Sequence, residues 1–511
     1  MAMEEIYNRN IHVVFDCVIP FINDRNSLSL ICRKSCDIEG KTRQHVTVDT
    51  HYATSPSRFC QRFPLIRSLT LHGTPEVDDH HVVFITPWVQ QITSSLYLLN
   101  SVCFQTLFLS DSDIQLLAQT RGKQLRVIEL SQCAGFSTLG LFHIGKYCNN
   151  LRDLCLFHNK IDENGENWLR ELGSRNTVIE KLNFQGVNFD IKDLVNVAKN
   201  CSRLVSVKID CCDFIHLVEF FWYAVNLEEF GGGEFSDDHK DEYNYSFKLP
   251  DSLKHLMMRI SPRCDVKIVV PFAHLITELN CEDGFLIGSD DFRELIKSCC
   301  NLKVLYTTAQ IMDQGLRDIS IYCKKLRKLY VGKPGGMVSH VGVNYLAEQC
   351  VELECLHTDT VEMTNEVLSN IGKHMKKLKE FKMLLLYTDD FPLDIGFRSL
   401  FIGCDKLEKL DVYFETRGVG LSNEGLGYIG KYGCNLRHLT LGLNVGESDE
   451  GLVELAKGCP KLQYFETVGC DFSKEAFDIF RSNVTSLRYL SVDGTMASAF
   501  WNIEDMFAMI F

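Results

Sequence analysis

The sequence predicts an α/β fold: a leucine-rich-repeat solenoid bent into a horseshoe, preceded by a small all-α domain. Three observations carry the prediction. A Cys-x-x-Leu-x-x-Leu signature recurs along the chain, its copies are spaced as one strand plus one short helix requires, and the first 47 residues stand outside the pattern.

The clearest copies are Cys148-x-x-Leu151-x-x-Leu154, Cys299-x-x-Leu302-x-x-Leu305, Cys323-x-x-Leu326-x-x-Leu329, Cys350-x-x-Leu353-x-x-Leu356 and Cys404-x-x-Leu407-x-x-Leu410, and Cys459-x-x-Leu462 closes with Phe465. If any residue may anchor and Ile, Val or Phe may replace Leu, the register runs from position 63 to position 484. After a first step of 33 residues, its steps are 23 to 29 residues. That is the leucine-rich-repeat period.

The second half of each unit is a short helix. Asp313 precedes Leu316 and Ile319, Thr364 precedes Leu368 and Ile371, Ser422 precedes Leu426 and Ile429, and Ser448 precedes Leu452 and Leu455. Side-chain oxygens at such positions accept from free N–H groups of the first turn, so these residues read as N-caps.

A strand and a helix this short cannot bury their apolar faces alone. Stacking creates the core and puts the strands on the inside of the curve. The anchoring cysteines, many of the 22 in the chain, are small, weakly polar residues suited to the corner of each coil. The division expected is 1–47 for the helical domain and 48–511 for the solenoid with a short C-terminal cap.

With 45% hydrophobic and 23% charged residues, the chain has ample material for a core. It has no apolar run of 18 residues and no charged-then-apolar leader, so no membrane association is expected. The cysteines form no compact secreted disulfide framework, which points to nucleus or cytoplasm. A net charge of −14 argues against nucleic acid as a partner, since a general binder needs a basic face. The acidic stretch Glu234 to Tyr245 after Gly231-Gly232-Gly233 reads as a solvated insertion loop.

Within the first 47 residues, Ile11, Val14, Phe15, Val18, Ile19 and Ile22 recur at helical spacing. The segment Asn23 to Arg33 supplies a capped turn and a second helix, and a third is expected from Ile38 to His45. From pattern alone this is a cap over the open end of the first repeat.

The segment Asp24-Arg25-Asn26-Ser27-Leu28-Ser29-Leu30-Ile31-Cys32-Arg33 is followed by Thr42 to Thr47 and by Arg62-Phe63-Pro64-Leu65-Ile66-Arg67-Ser68-Leu69. Together they resemble the F-box and first repeat of the plant coronatine-insensitive family, jasmonate receptors related to the auxin receptors. The resemblance continues through Thr86-Pro87-Trp88-Val89, Ala224 to Phe230, Pro392-Leu393-Asp394, Arg398 to Cys404, Gly446 to Leu452 and Phe500 to Glu504.

That resemblance implies a non-catalytic subunit of a ubiquitin ligase. Its F-box would dock on a Skp-type adaptor and cullin through Phe15, Val18, Ile19, Leu28, Leu30 and Ile31. Its repeats would present a target, in this family a repressor protein, on the concave or top face. Holding the target near the ubiquitin-charged enzyme raises its effective concentration without chemistry by this chain. One departure lies in the F-box, where Ser35 stands at a family tryptophan position.

Residues one and three after the second Leu of a repeat should face the inside of the curve. These are Tyr306 and Thr308, His357 and Asp359, Lys382, Asp411 and Tyr413, and Glu466 and Val468. The family holds the hormone carboxylate and an inositol phosphate with arginines and lysines. By that resemblance His45, Arg121, Lys382 and Tyr413 are the ligand or inositol-polyphosphate candidates, Lys382 keeping an arginine's charge without its fork. Glu76, Thr308 and Val468 replace arginines, and Asp359 replaces a tyrosine. The loop from Val77 to Ile85 and the segment after Val331 are shorter than in the family, and Ile503 to Phe511 are expected to close the last repeat. A receptor fold with a strongly altered hormone pocket is the expectation.

No pair of Cys/His motifs occurs at zinc-finger spacing, so no metal is expected, and Cys299 is already a repeat anchor. Gly332 to Gly336 lacks the Gly-x4-Gly-Lys order of a phosphate loop, and no nucleophile elbow precedes a helix. No catalytic residue is assigned. Two readings remain: a substrate-recognition subunit of a ligase, or a repeat scaffold or decoy that binds partners without recruiting the adaptor.

Overall fold

The computed structural model describes residues 29–50, 55–73, 85–235, 247–260, 266–281, 289–308, 311–332, 338–360, 362–385, 392–414 and 420–492. They fall into two compact units, Met1–Gly232 with Lys248–Lys254 and Gly233–Phe247 with His255–Phe511. None of the described helices is long and apolar enough to cross a membrane.

Each unit is a ladder of parallel strands with a helix between most successive strands, as a leucine-rich repeat requires. In the first, His45–Asp49, Ser68–His72, Ser101–Gln105, Val127–Ser131, Asp153–Phe157, Lys181–Asn183 and Ser206–Asp213 pair in chain order. In the second, ten strands among the described residues, from His255–Ile260 to Tyr489–Val492, do the same. The second leucine of the signature forms one cross-strand row, Leu305, Leu329, Leu356, Phe381, Leu410, Leu439 and Phe465. Every member is fully buried, contributing roughly 1.5–3 kcal/mol apiece.

In most copies the anchor of the signature is the residue that caps the preceding helix at its C-terminus, Cys459 being an exception two residues beyond the cap Lys457. Cys148, Cys201, Cys323, Cys350 and Cys404 all hold that position, as do Asn176 and Gly433. The last carbonyls of a helix lack intrahelical donors, and a thiol is a donor small enough for the corner. The Cys201 Sγ lies 3.0 Å from the Asn176 carbonyl, and the Cys404 Sγ lies 3.4 Å from the Met375 carbonyl, each at the anchor one repeat earlier. Asn176 donates Nδ2 to the carbonyls of Cys148 and Leu151, both at 3.0 Å. Burial pushes the thiols of Cys148 and Cys404 up to about 12, so they are structural rather than reactive.

A second inter-repeat device joins the helix starts. The Asp394 carboxylate accepts from the Ser422 amide at 3.0 Å and the Ser422 hydroxyl at 2.5 Å. Asp111 treats Ser137, and Asp313 treats Ser339, in the same way. Three residues after each serine stands a glycine, Gly425, Gly140 or Gly342, where a Cβ would collide with that carboxylate.

Of the expected caps, some hold and others change. Thr364 and Ser422 are N-caps whose side chains accept from the first turn. Ser448 is an N-cap by position but makes no side-chain cap bond, its hydroxyl accepting instead from Asn423 Nδ2 at 2.8 Å. Asp313 lies inside its helix, which Ile311 precedes, because its carboxylate serves the next repeat. The helix expected from Ile38 to His45 is Arg33–Thr42. His45 already begins a strand paired with Ser68, so the boundary drawn at 47 falls inside that strand. Residues 1–28, most of the acidic insertion and the C-terminal closure lie outside the described residues.

Candidate functional site

In the second unit the strands bring a row of polar and aromatic side chains onto one face. The backbone alternates, so the residue after each buried leucine-row position projects from the opposite side. Registers align Tyr306, Tyr330, His357, Lys382, Asp411, Thr440 and Glu466 in that row. Two positions earlier along each strand, a parallel row contains Cys355, Glu380, Lys409, His438, Tyr464 and Tyr489.

The two rows interlock. The rings of Tyr306 and Tyr330 stack at 4.4 Å, and His357 meets Tyr330 edge-on at 4.6 Å. His357 Nε2 lies 2.9 Å from Glu380 Oε1, which also takes the Lys409 ammonium at 3.0 Å. Lys409 is 3.6 Å from Asp411, whose other oxygen is 3.1 Å from His438 Nε2. His438, Tyr464 and Tyr489 then stack at 4.0 and 4.4 Å, and the Tyr464 hydroxyl donates to Glu466 at 2.8 Å.

The electrostatics follow from burial and neighbours. Burial pushes His357 below its ordinary value, so near neutral pH the imidazole is uncharged. Burial opposes ionisation of Glu380 and Asp411 too, yet both stay well below the usual carboxylate range because His357 and Lys409 face the first, and His438 and Lys409 the second. Lys409 is held up by Asp411 and Glu380 against the opposite pull of burial.

Among the ligand candidates, Lys382 and Tyr413 come together, the ammonium 5.7 Å from the ring centre. Tyr413 packs with Leu384 and Val468 in a buried cluster, its ring lying where a Cβ on Gly442 would sit. Thr308 and Asp359 occupy the same column of the strands and are buried. His45 and Arg121 belong to the first unit and are not brought together. His45 is exposed at a strand start, whereas Arg121 ends the helix Asp111–Arg121. Its guanidinium donates to the Thr93 carbonyl at 2.5 Å and covers the Tyr97 ring, so it is committed within the helix layer and is not on the strand face. Glu76 lies outside the described residues.

Of the F-box positions, Leu30 and Ile31 are described and strongly exposed; Phe15, Val18, Ile19 and Leu28 lie outside. Ser35 is buried, its hydroxyl 3.1 Å from Cys32 Sγ. The sequence reading found the Tyr306-to-Glu466 row but missed its partners Glu380, Lys409 and His438. They stand immediately before the buried leucine rather than after it, and alternation alone would have placed them on the same face.

A family profile described as F-box matches residues 8–45. Coronatine-insensitive protein 1 of Arabidopsis thaliana is 38% identical over 96% of this chain and 88% of its own length. Coronatine-insensitive protein homolog 1b of Oryza sativa subsp. japonica is 36% identical over 94% of this chain and 85% of its own. GRR1-like protein 1 of Arabidopsis thaliana is 29% identical over 95% of this chain and 87% of its own.

Proposed function

The chain belongs to the coronatine-insensitive family of F-box leucine-rich-repeat proteins, and from that premise we propose that it is the substrate-recognition subunit of a Skp-cullin-F-box ubiquitin ligase. Its F-box docks on the Skp-type adaptor through Phe15, Val18, Ile19, Leu28, Leu30 and Ile31. Its repeats hold a target protein, a repressor by family likeness. The chain performs no chemistry; it supplies proximity.

The observation that carries this reading is the order of parts: an F-box at residues 8–45, then a strand from His45 that opens the repeat ladder. The exposure of Leu30 and Ile31 supports a docking role, since neighbouring apolar side chains left in water favour a partner. No disulfide joins the described cysteines to one another, which suits the reducing nucleus or cytoplasm where such a ligase would work.

We place the target and any small ligand on the strand face of the second unit, with altered chemistry relative to a jasmonate pocket. The cations of that face, Arg259, Lys328, Lys382 and Lys409, are interleaved with Glu278, Asp359, Glu380, Asp411 and Glu466, which disfavours a polyanion such as an inositol phosphate. Co-expression with a plant Skp-type adaptor followed by size-exclusion chromatography tests the ligase reading. Equimolar co-elution is expected, and separate elution of two folded proteins would sink it.

The second reading, a scaffold or decoy that does not recruit the adaptor, is favoured by one observation. Ser35 is a small buried residue whose hydroxyl lies beside Cys32 Sγ, where the family places a large aromatic.

A further inference from the structure

Cys355 and His357 are two residues apart on the strand Cys355–Thr360, so both side chains leave the same face. Glu380 is the cross-strand partner of Cys355. The Cys355 Sγ, a His357 ring nitrogen and a Glu380 carboxylate oxygen all lie within 4.8 Å of one another. Cys355 and His357 are 3% and 6% exposed, whereas the Glu380 side chain, 20% exposed, keeps one side open.

We propose that Cys355, His357 and Glu380 form a binding site for a thiophilic divalent cation, zinc in the cell, with a fourth coordination position left on the strand face. Thiolate, imidazole and carboxylate are the three donor types zinc accepts, at about 2.0–2.3 Å, which places donors about 3.4–3.6 Å apart around a tetrahedral ion. The donors already converge to within 4.8 Å, so closing on an ion needs side-chain shifts of about 1 Å. Such a set is invisible to linear motif spacing, because the ladder rather than the sequence brings Glu380 to Cys355.

The charge balance closes. Binding releases the Cys355 proton, and the thiolate and the Glu380 carboxylate neutralise the dication while His357 stays neutral. Lys409 is the competitor, since its ammonium now sits 3.0 Å from Glu380. It has an alternative in Asp411, 3.6 Å away, and passes to that carboxylate when Glu380 turns to the metal.

Cobalt(II), with zinc's geometry and a visible spectrum, is the probe. The full chain, stripped with chelator under reducing conditions, is titrated with cobalt chloride. One equivalent should produce a sulfur-to-cobalt charge-transfer band in the near ultraviolet, displaced by zinc. Cys355→Ser should abolish that band while Cys211→Ser/Cys212→Ser, altering exposed or part-exposed thiols elsewhere, leaves it intact. His357→Gln should weaken binding about tenfold or more, and Lys409→Met should tighten it, by about tenfold. No saturable binding, or a band that survives in folded Cys355→Ser, overturns the proposal. If Cys355→Ser does not fold, unchanged affinity in both His357→Gln and Lys409→Met overturns it equally.

Discussion

The carboxylate of Glu39 lies 3.8 Å from the guanidinium of Arg62, which ties the helix Arg33–Thr42 to the first repeat. Glu39 is fully buried and is also paired with Arg43 one turn on, and both arginines lie over the Phe63 ring, at 5.9 and 4.9 Å. Removing the close partner of a buried charge typically costs about 3–5 kcal/mol. Arg43→Met should therefore lower stability by about 3 kcal/mol, and Arg62→Met, longer and half-exposed, by under about 1 kcal/mol. Urea unfolding measures both. Equal effects would show that the two arginines are not distinguished as their geometry requires.

The Asp394–Ser422 clamp makes a prediction that runs against helix propensity. Alanine normally stabilises an exposed helix over glycine by about 1 kcal/mol, yet at Gly425 a Cβ would meet the Asp394 carboxylate and Leu421. Gly425→Ala should destabilise the second unit by about 1–3 kcal/mol. Asp394→Ala should cost about 2–3 kcal/mol by leaving the Ser422 amide and hydroxyl without their acceptor. A stabilised Gly425→Ala protein, by thermal denaturation, would mean that the clamp does not hold the helix starts together.

The repeat register was legible because burial imposes it: leucines recur wherever a strand must face the core, and that row appears in the structure without a break from Leu305 to Phe465. The role of Asp313 was not legible, because an acidic residue near a helix start serves equally well as its own helix's cap or as an acceptor for Ser339 in the next repeat. Only the stacking decides between them. The setting of Arg121 was not legible for a similar reason. A cation's sequence position does not reveal that Thr93 and Tyr97 already hold it.

His357 gives the strand face an acid sensitivity with a definite sign. Its folded-state value is depressed by burial, so the unfolded chain takes up a proton that the folded chain refuses. Stability should fall as pH drops below about 6.5, by at most about 1.4 kcal/mol per pH unit. Glu380 acts lower down: its depressed carboxyl contributes stability above the ordinary glutamate value that is lost as pH falls through its folded value of about 2. His357→Gln should flatten the upper window and also shrink the lower one, since His357 helps hold the Glu380 carboxyl down. Urea midpoints at neutral and mildly acidic pH, compared between the two proteins, measure this, and an unchanged slope would show that His357 is not the titrating group.

The same face should reject polyanions. Lys382 is the candidate for a phosphate or carboxylate, but it sits over Tyr413 and beside Asp411. Inositol hexakisphosphate should leave the melting temperature unchanged at physiological salt. A concentration-dependent rise that disappears in Lys382→Met would instead establish an anion site at this lysine.

Ser35 decides how the F-box question should be tested. Restoring the family tryptophan looks like a repair, but Ser35 is only 4% exposed and its hydroxyl is 3.1 Å from Cys32 Sγ, so an indole there would have to displace the groups that cover the serine. Overpacking of this kind costs about 1–3 kcal/mol. Ser35→Trp should therefore lower the stability of the free chain and should not improve adaptor binding, whereas Ser35→Ala, losing one weak polar contact, should leave both nearly unchanged. Thermal denaturation and co-elution with the Skp-type adaptor separate the effects. If Ser35→Trp alone co-elutes with the adaptor, the helix does accept the aromatic, the unaltered chain lacks a working docking surface, and the scaffold reading replaces the ligase one.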